Sequence, residues 1–179
     1  MKNGTYTCSY HSPIGALILA SDGVALTGLW FQGQKYESAT LQDTATPREL
    51  PVFAQAKQWL DRYFSGQAPR LDVPLAPAGS EFRQAVWKIL CDIPYGQLTT
   101  YGQIAQTLRS IWGKPVSAQA VGGAVGHNPI SILIPCHRVV GSNGSLTGYA
   151  AGIQKKIWLL EREGAPMDGL FVPQNGTAL

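Results

Sequence analysis

Polar and apolar positions follow one rhythm in the first third of the chain and another afterwards. Thr5–His11, Gly15–Ser21 and Val24–Gln32 are short apolar or alternating runs, the pattern of half-buried strands. Ser12-Pro13-Ile14-Gly15 and Asp22-Gly23 punctuate them as turns, and Asp-Gly is a strong hairpin signal. Over Pro51–Ser65 the period lengthens: Val52, Phe53, Ala56, Trp59, Leu60, Tyr63 and Phe64 recur at helical spacing, and Gly66 closes the run. The first half therefore predicts a small antiparallel sheet with a helix on it. None of its side chains suggests chemistry, so it has the character of a scaffold.

Between Gly66 and Gly79 the sequence reads GQAPRLDVPLAPAG, and three prolines favour an extended connection between two domains. Beyond it, Ser80 is a good N-cap for a helix through Cys91 with Phe82, Val86, Trp87, Ile89 and Leu90 as its apolar positions. Pro94-Tyr95-Gly96 stops it. Thr99 or Thr100 caps a short helix Tyr101–Arg109, and a turn over Ser110–Val116 follows. Ser117 then caps Ala118–Gly126, a helix of small residues. Two short helices joined by a turn resemble a helix-turn-helix. Gly122 and Gly123 each cost about 1 kcal/mol against alanine in a helix interior, so either a neighbouring helix packs tightly there or a partner approaches closely. Ile130–Val140 is expected to be a buried extended segment interrupted by Pro135. Gly141–Gly148 is a flexible loop by composition. Ile153–Glu163 is expected as a last amphipathic helix with Ile153, Ile157, Trp158 and Leu160 on its apolar side, and the residues after Pro166 as a frayed tail.

Composition narrows the class. At 179 residues and 45% hydrophobic content the chain can bury roughly 70% of its unfolded surface and needs no staples. Charged residues are only 14%, well under the usual ~25%, which excludes a disordered charged tail protein. No apolar run approaches the ~20 residues of a membrane span, and no apolar stretch backs the lysine of Met-Lys-Asn-Gly-Thr-Tyr as in a signal peptide. A cytoplasmic location without a membrane partner is expected. The net charge of +3 lies wholly in the second half: residues 1–79 carry six basic and six acidic side chains, and residues 80–179 carry eight and five. That asymmetry permits a phosphate-backbone partner.

Three cysteines, Cys8, Cys91 and Cys136, are too few and too widely spaced for a disulfide framework. Cys8 with His11 is the nearest approach to a ligand pair, and no metal site is expected. Cys136 beside His137 is the more suggestive arrangement. A thiolate is the nucleophile, and an ordinary thiol is only a few per cent ionised at neutral pH, so a neighbouring base matters. Adjacent side chains on a regular strand point to opposite faces; contact between these two needs an irregular backbone, which Pro135 could supply, or a bridging water. Glu161 and Glu163 are the candidate carboxylates to orient the imidazole. The alternative is an inert buried cysteine beside a surface histidine.

Asn128-Pro129, Ile134-Pro135-Cys136-His137-Arg138-Val139-Val140, Gly148-Tyr149 and Trp158-Leu159-Leu160-Glu161-Arg162-Glu163-Gly164 resemble the O6-alkylguanine-DNA alkyltransferases, the methylated-DNA–protein-cysteine methyltransferase family. The resemblance is strong over Ser80–Gly164 and weaker before it. It implies an α/β, ribonuclease-H-like N-terminal domain over residues 1–76. The mostly helical, DNA-binding and catalytic domain with its helix-turn-helix would span 77–179. The implied activity is single-turnover transfer of an alkyl group from O6 of a flipped-out guanine to the protein's own cysteine, with O4 of thymine left open as a second target. No cofactor is implied, and the expected partner is double-stranded DNA bound through its minor groove by a monomer.

By the same resemblance Cys136 is the nucleophile, His137 the base acting through a water, and Glu163 the acid that orients it. Tyr101 serves the purine ring and crowds the phosphate during flipping. In the substrate pocket, Tyr149 is a wall, the Ala150 N–H faces O6, and the Cys136 and Val139 carbonyls accept the exocyclic amine. Asn128 ties the turn after the recognition helix to the active-site segment. Ala118, Gln119, Gly122, Gly123 and Arg138 fall at the DNA surface, small residues suiting a groove only about 6 Å wide. One departure stands out: the family commonly has an arginine two residues before Val121, inserted where the flipped base was, and this chain has Gln119. The turn before it also looks long, and Trp112 or Lys114 could take over that role. A non-catalytic lesion binder is disfavoured by Cys136, and a thiol hydrolase by the lack of a separate oxyanion signature.

Overall fold

A computed structural model describes residues 4–174. The chain forms two compact units, one of residues 4–78 with 129–133, the other of 79–128 with 134–174.

In the first unit, β1 (Tyr6–Ser12), β2 (Gly15–Ser21) and β3 (Leu26–Phe31) form an antiparallel meander. The Asp22-Gly23 signal produces the hairpin, but through a longer loop in which the Asp22 carboxylate accepts the Val24 and Ala25 N–H groups at 2.9 and 2.8 Å. The sheet is not purely antiparallel: β4 (Thr46–Pro47) adds a short parallel edge to β1, giving the order β3-β2-β1-β4. Leu17 faces Phe31 and Leu19 faces Leu29 across β2 and β3. That apolar face and the stripe of α1 (Pro51–Phe64) supply the buried core, with Phe53, Ala56, Leu60 and Tyr63 fully enclosed. Each such large apolar side chain is worth about 1.5–3 kcal/mol on burial. Residues 129–133 join this sheet, since Leu29 donates to Pro129 O and receives Ser131 N–H at its own carbonyl.

In the second unit, Ser80 caps α2 (Glu81–Cys91) by accepting Arg83 N–H, and Thr100 and Gln103 form a capping box on α3. α3 runs Tyr101–Trp112, one turn past the expected Arg109. The extra turn hid from periodicity because Ile111 is 67% exposed; left-handed Gly113, at φ 64°, ends it. Trp112 is held there, edge-on to Phe82 at 5.8 Å with the Lys114 ammonium 4.9 Å over its face. Ser117 caps α4 (Ala118–Gly126), and the Trp87 indole N–H donates to Ala124 O at 2.8 Å, tying α2 to α4.

Three expectations change. The segment over 130–140 is buried but not one extended run: Ile130 bridges to Leu29 in the first unit, Ile132 has φ 69°, Cys136–Arg138 is a 3-10 turn, and β6 (Val139–Val140) pairs in parallel with β5 (Thr99–Thr100). The last helix, α5 (Ile153–Arg162), buries Lys156, Leu159 and Leu160, whereas Ile157 and Trp158 are half-buried. Finally, the stretch after Pro166 is docked through residue 171. Leu146 N–H donates to Phe171 O, and Met167 and Leu170 pack on Val140, Leu146, Leu160 and Ala165. Residues 175–179 of the expected tail lie outside the described residues.

Candidate active site

Pro135 leads into a 3-10 turn, so the backbone at the Cys-His pair is irregular. Consecutive side chains on such a turn are about a third of a revolution apart, so neighbours need not face opposite ways as on a strand. Cys136 is buried and opens the turn. Burial pushes its thiol pKa up, against a hydrogen bond from the Asn128 side chain and the charge of Lys156. The Asn128 amide also donates to Ile134 O at 2.8 Å, which fixes the segment leading into the thiol.

His137 is completely enclosed. Its Nε2 lies 2.6 Å from Glu163 Oε1, which settles the choice between the two glutamates; Glu161 is exposed. Since Nε2 is engaged, Nδ1 is the nitrogen left for proton exchange, and it is buried without a hydrogen bond among the described residues. Burial lowers the imidazole pKa, opposed by the Glu163 hydrogen bond and charge and reinforced by Arg138 and Lys156. Burial alone would raise the Glu163 carboxyl, but hydrogen bonds and charge from His137 and Arg138 hold it well below the usual carboxylate range.

Arg138, expected at the DNA surface, is buried instead. It is only 8% exposed, and its guanidinium turns inward to fork onto Glu163, Nε to Oε2 at 2.8 Å and Nη2 to Oε1 at 3.0 Å. A buried carboxylate needs a counter-charge, and the residue after His137 is placed by the turn to provide it.

Around this relay lie the other expected residues. Tyr101 begins α3, and its hydroxyl donates to Thr147 O at 2.9 Å; burial and then the Cys136 charge raise its pKa. Tyr149 is buried, its ring meeting His137 edge-to-face at 6.4 Å. Gly148 has φ 92°, and a Cβ there would stand 2.3 Å from the Tyr101 hydroxyl, so glycine is required for the two residues to meet. Val139 lies on β6, and Ala150 is half-buried in the loop before α5.

Lys156 is the residue that reading the sequence missed. Its ammonium is fully buried and donates to Val139 O and Thr147 O, with its pKa pushed down to about 8 mainly by burial. Thr147 O thereby receives both Lys156 and Tyr101. The signal was present: Ile153, Lys156, Ile157 and Leu160 follow the i, i+3, i+4, i+7 spacing of one helix face.

On α4, Ala118 and Gln119 are exposed and Gly122 and Gly123 half-buried. A Cβ on Gly123 would meet nothing within 4 Å among the described residues, and one on Gly122 only the Tyr101 ring at ordinary contact distance. Intramolecular packing does not require these glycines. The bare face is free for close approach from outside.

A buried thiol, next in sequence to an imidazole held by a carboxylate, and a helix bare of bulk on one face mark a protein with one candidate reactive cysteine. The chain belongs to the 6-O-methylguanine DNA methyltransferase family: residues 81–165 match its DNA-binding domain and residues 5–77 its ribonuclease-like domain. It is 41% identical over 162 residues to the methylated-DNA–protein-cysteine methyltransferase of Haemophilus influenzae, covering 90% of this chain and 87% of that one. The protein of the same name from Mycobacterium bovis is 47% identical over 152 residues, covering 85% and 88%. Among solved structures, Mycobacterium tuberculosis OGT in complex with DNA matches with a TM-score of 0.77 at 44% identity, over 92% of this chain and 96% of that one.

Proposed function

We infer that this protein repairs DNA by moving an alkyl group from O6 of guanine to Cys136, once per molecule. The observation that carries the reading is the buried His137 imidazole held by Glu163, next in sequence to the buried Cys136 thiol, in a chain of this family. The thiol proton passes to His137 Nδ1, through a water if one bridges them. Sulfur attacks the alkyl carbon, and the C–S bond forms as the C–O6 bond breaks. The electron pair goes to guanine, which recovers a proton as it leaves, so the sum is thiol plus alkylguanine to thioether plus guanine. A thioether is not readily reopened, which limits each protein to one event.

The remaining residues fit this chemistry. The Tyr101 hydroxyl serves the purine edge on which negative charge collects. Tyr149 walls the pocket, the Ala150 N–H faces O6, and the Cys136 and Val139 carbonyls accept the exocyclic amine. We read α3 and α4 as a helix-turn-helix whose α4 enters the minor groove, its slim face of Ala118, Gly122 and Gly123 allowing the approach and Gln119 next to the vacated stack. Residues 1–76 act as the scaffold domain and 77–179 as the DNA-binding and catalytic domain of a monomer. Among the described residues no helix is long and apolar enough to cross a membrane, in keeping with work on DNA in the cytoplasm. The test is a duplex bearing one O6-methylguanine with a radiolabelled methyl group. The label should move to protein in a single burst, and release of label as methanol or retention on DNA would refute the reading.

A further inference from the structure

Glu163 serves three partners, His137, Arg138 and the Gly96 backbone. Oε1 faces His137 Nε2 at 2.6 Å and receives Arg138 Nη2 at 3.0 Å, while Oε2 receives Arg138 Nε at 2.8 Å and Gly96 N–H at 3.1 Å. Four contacts saturate the roughly four lone-pair sites of a carboxylate. Arg138 is fixed at its other end too, with Nη1 donating to Ile93 O at 2.6 Å and the guanidinium 5.8 Å from the Tyr95 ring centre. It cannot swing away, and a guanidinium does not deprotonate in proteins.

We propose that Arg138 is a positioning residue that takes up the Glu163 charge and thereby keeps His137 a neutral imidazole able to accept the Cys136 proton at neutral pH. The proposal rests on the assignment of Cys136, His137 and Glu163 to the transfer reaction. A buried carboxylate matched only by histidine would form an ion pair with the imidazolium, and an imidazolium cannot take a proton from the thiol. With Arg138 already matching the single negative charge, a proton on His137 would add an uncompensated positive charge in a closed space. The surroundings favour the same outcome. The groups that act on the imidazole are Glu163 and Lys156 from the last helix and its cap, Arg138 from the 3-10 turn, and the Tyr149 ring from the following loop, with Cys136 next in sequence. Tyr95, with Arg162 near it, faces the Glu163 and Arg138 side of the pair. Lys156 and Arg138 both oppose protonation of His137. The shared carboxylate is a consequence of the turn, because residues 137 and 138 on a strand would point to opposite faces.

The test is the pH dependence of single-turnover transfer from O6-methylguanine duplex to the full-length protein. In Arg138→Met and Arg138→Gln the acid limb should move up by about one pH unit or more, with much of the rate restored at higher pH. Arg138→Lys, which keeps the charge, should leave the limb near its wild-type position. A uniform loss of rate with an unmoved limb would mean that Arg138 only holds the fold, and would overturn the proposal. Ring nitrogen NMR of His137 in the wild-type protein needs no variant. A neutral ring protonated at Nε2 at pH 7 is expected, and an imidazolium at pH 7 overturns the proposal. The same NMR titration in the Arg138 variants does not depend on transfer, so a protein that never transfers methyl would sink the repair reading without deciding the role of Arg138.

Discussion

Burial gives individual residues here their chemical character. A thiol raised by burial, as Cys136 is, is a poor nucleophile until its proton has somewhere to go, so Cys136 needs a base to react. Cys136→Ser should abolish transfer while retaining binding to lesion-bearing duplex, checked by labelled-methyl transfer and by gel shift. Cys91→Ser, at an exposed thiol, should leave transfer unchanged. Glu163 carries a stability signature as well. Its folded carboxyl lies well below the usual range, so the stabilisation it gives is complete above an unfolded pKa near ~4.3 and is lost as pH falls below that. Removing one partner of a buried pair typically costs about 3–5 kcal/mol. Glu163→Gln should show a loss of that order at pH 7 in urea unfolding, and the gap to wild type should narrow toward pH 3. A gap independent of pH would mean that the carboxylate charge does not contribute.

The loop before α5 must bring its backbone against Tyr101. Gly148→Ala places a Cβ 2.3 Å from that hydroxyl at φ 92°, a left-handed conformation that costs about 1–2 kcal/mol without glycine. The variant should lose more stability than that, and Tyr101→Phe in the same chain should restore part of the loss; no rescue would place the clash elsewhere. In α3 and α4, Trp112 is engaged by Phe82 and Lys114 while Gln119 is exposed, which favours Gln119 as the side chain next to a vacated stack. Gln119→Arg should speed duplex repair about three- to tenfold, or about 0.7–1.4 kcal/mol, within the range of a stacked cation, and leave reaction with free O6-alkylguanine base unchanged. Trp112→Ala should cost about 1–2 kcal/mol of stability without changing either rate. A duplex-only slowing in Trp112→Ala would reverse the assignment.

Local signals were legible at this scale and distant ones were not. Ser80, Thr100 and Ser117 mark their helices because a cap is a contact within a few residues. Pro135 hinted at the irregular backbone that the Cys-His pair needs. By contrast, Arg138 read as a surface charge because its partner is twenty-five residues away. Lys156 disappeared into an amphipathic pattern that assumes lysines face water. The extra turn of α3 ends in an exposed isoleucine, so its apolar residue mimicked a loop. The partners of Arg138 lie far along the chain, and periodicity cannot supply them.

As a whole molecule, the protein is a reagent consumed by its own reaction. Cys136 sits in the core of the second unit, where an alkylated sulfur is shielded from a second nucleophile, so repeated turnover is not expected. The direct measurement is intact mass of the protein after incubation with excess duplex containing O6-methylguanine, followed by peptide mapping. One added methyl group per molecule, confined to the Cys136 peptide and unchanged on longer incubation, is the predicted result. Unchanged mass despite tight binding, a methyl group on Cys8 or Cys91, or repaired DNA in molar excess over protein would each contradict the account.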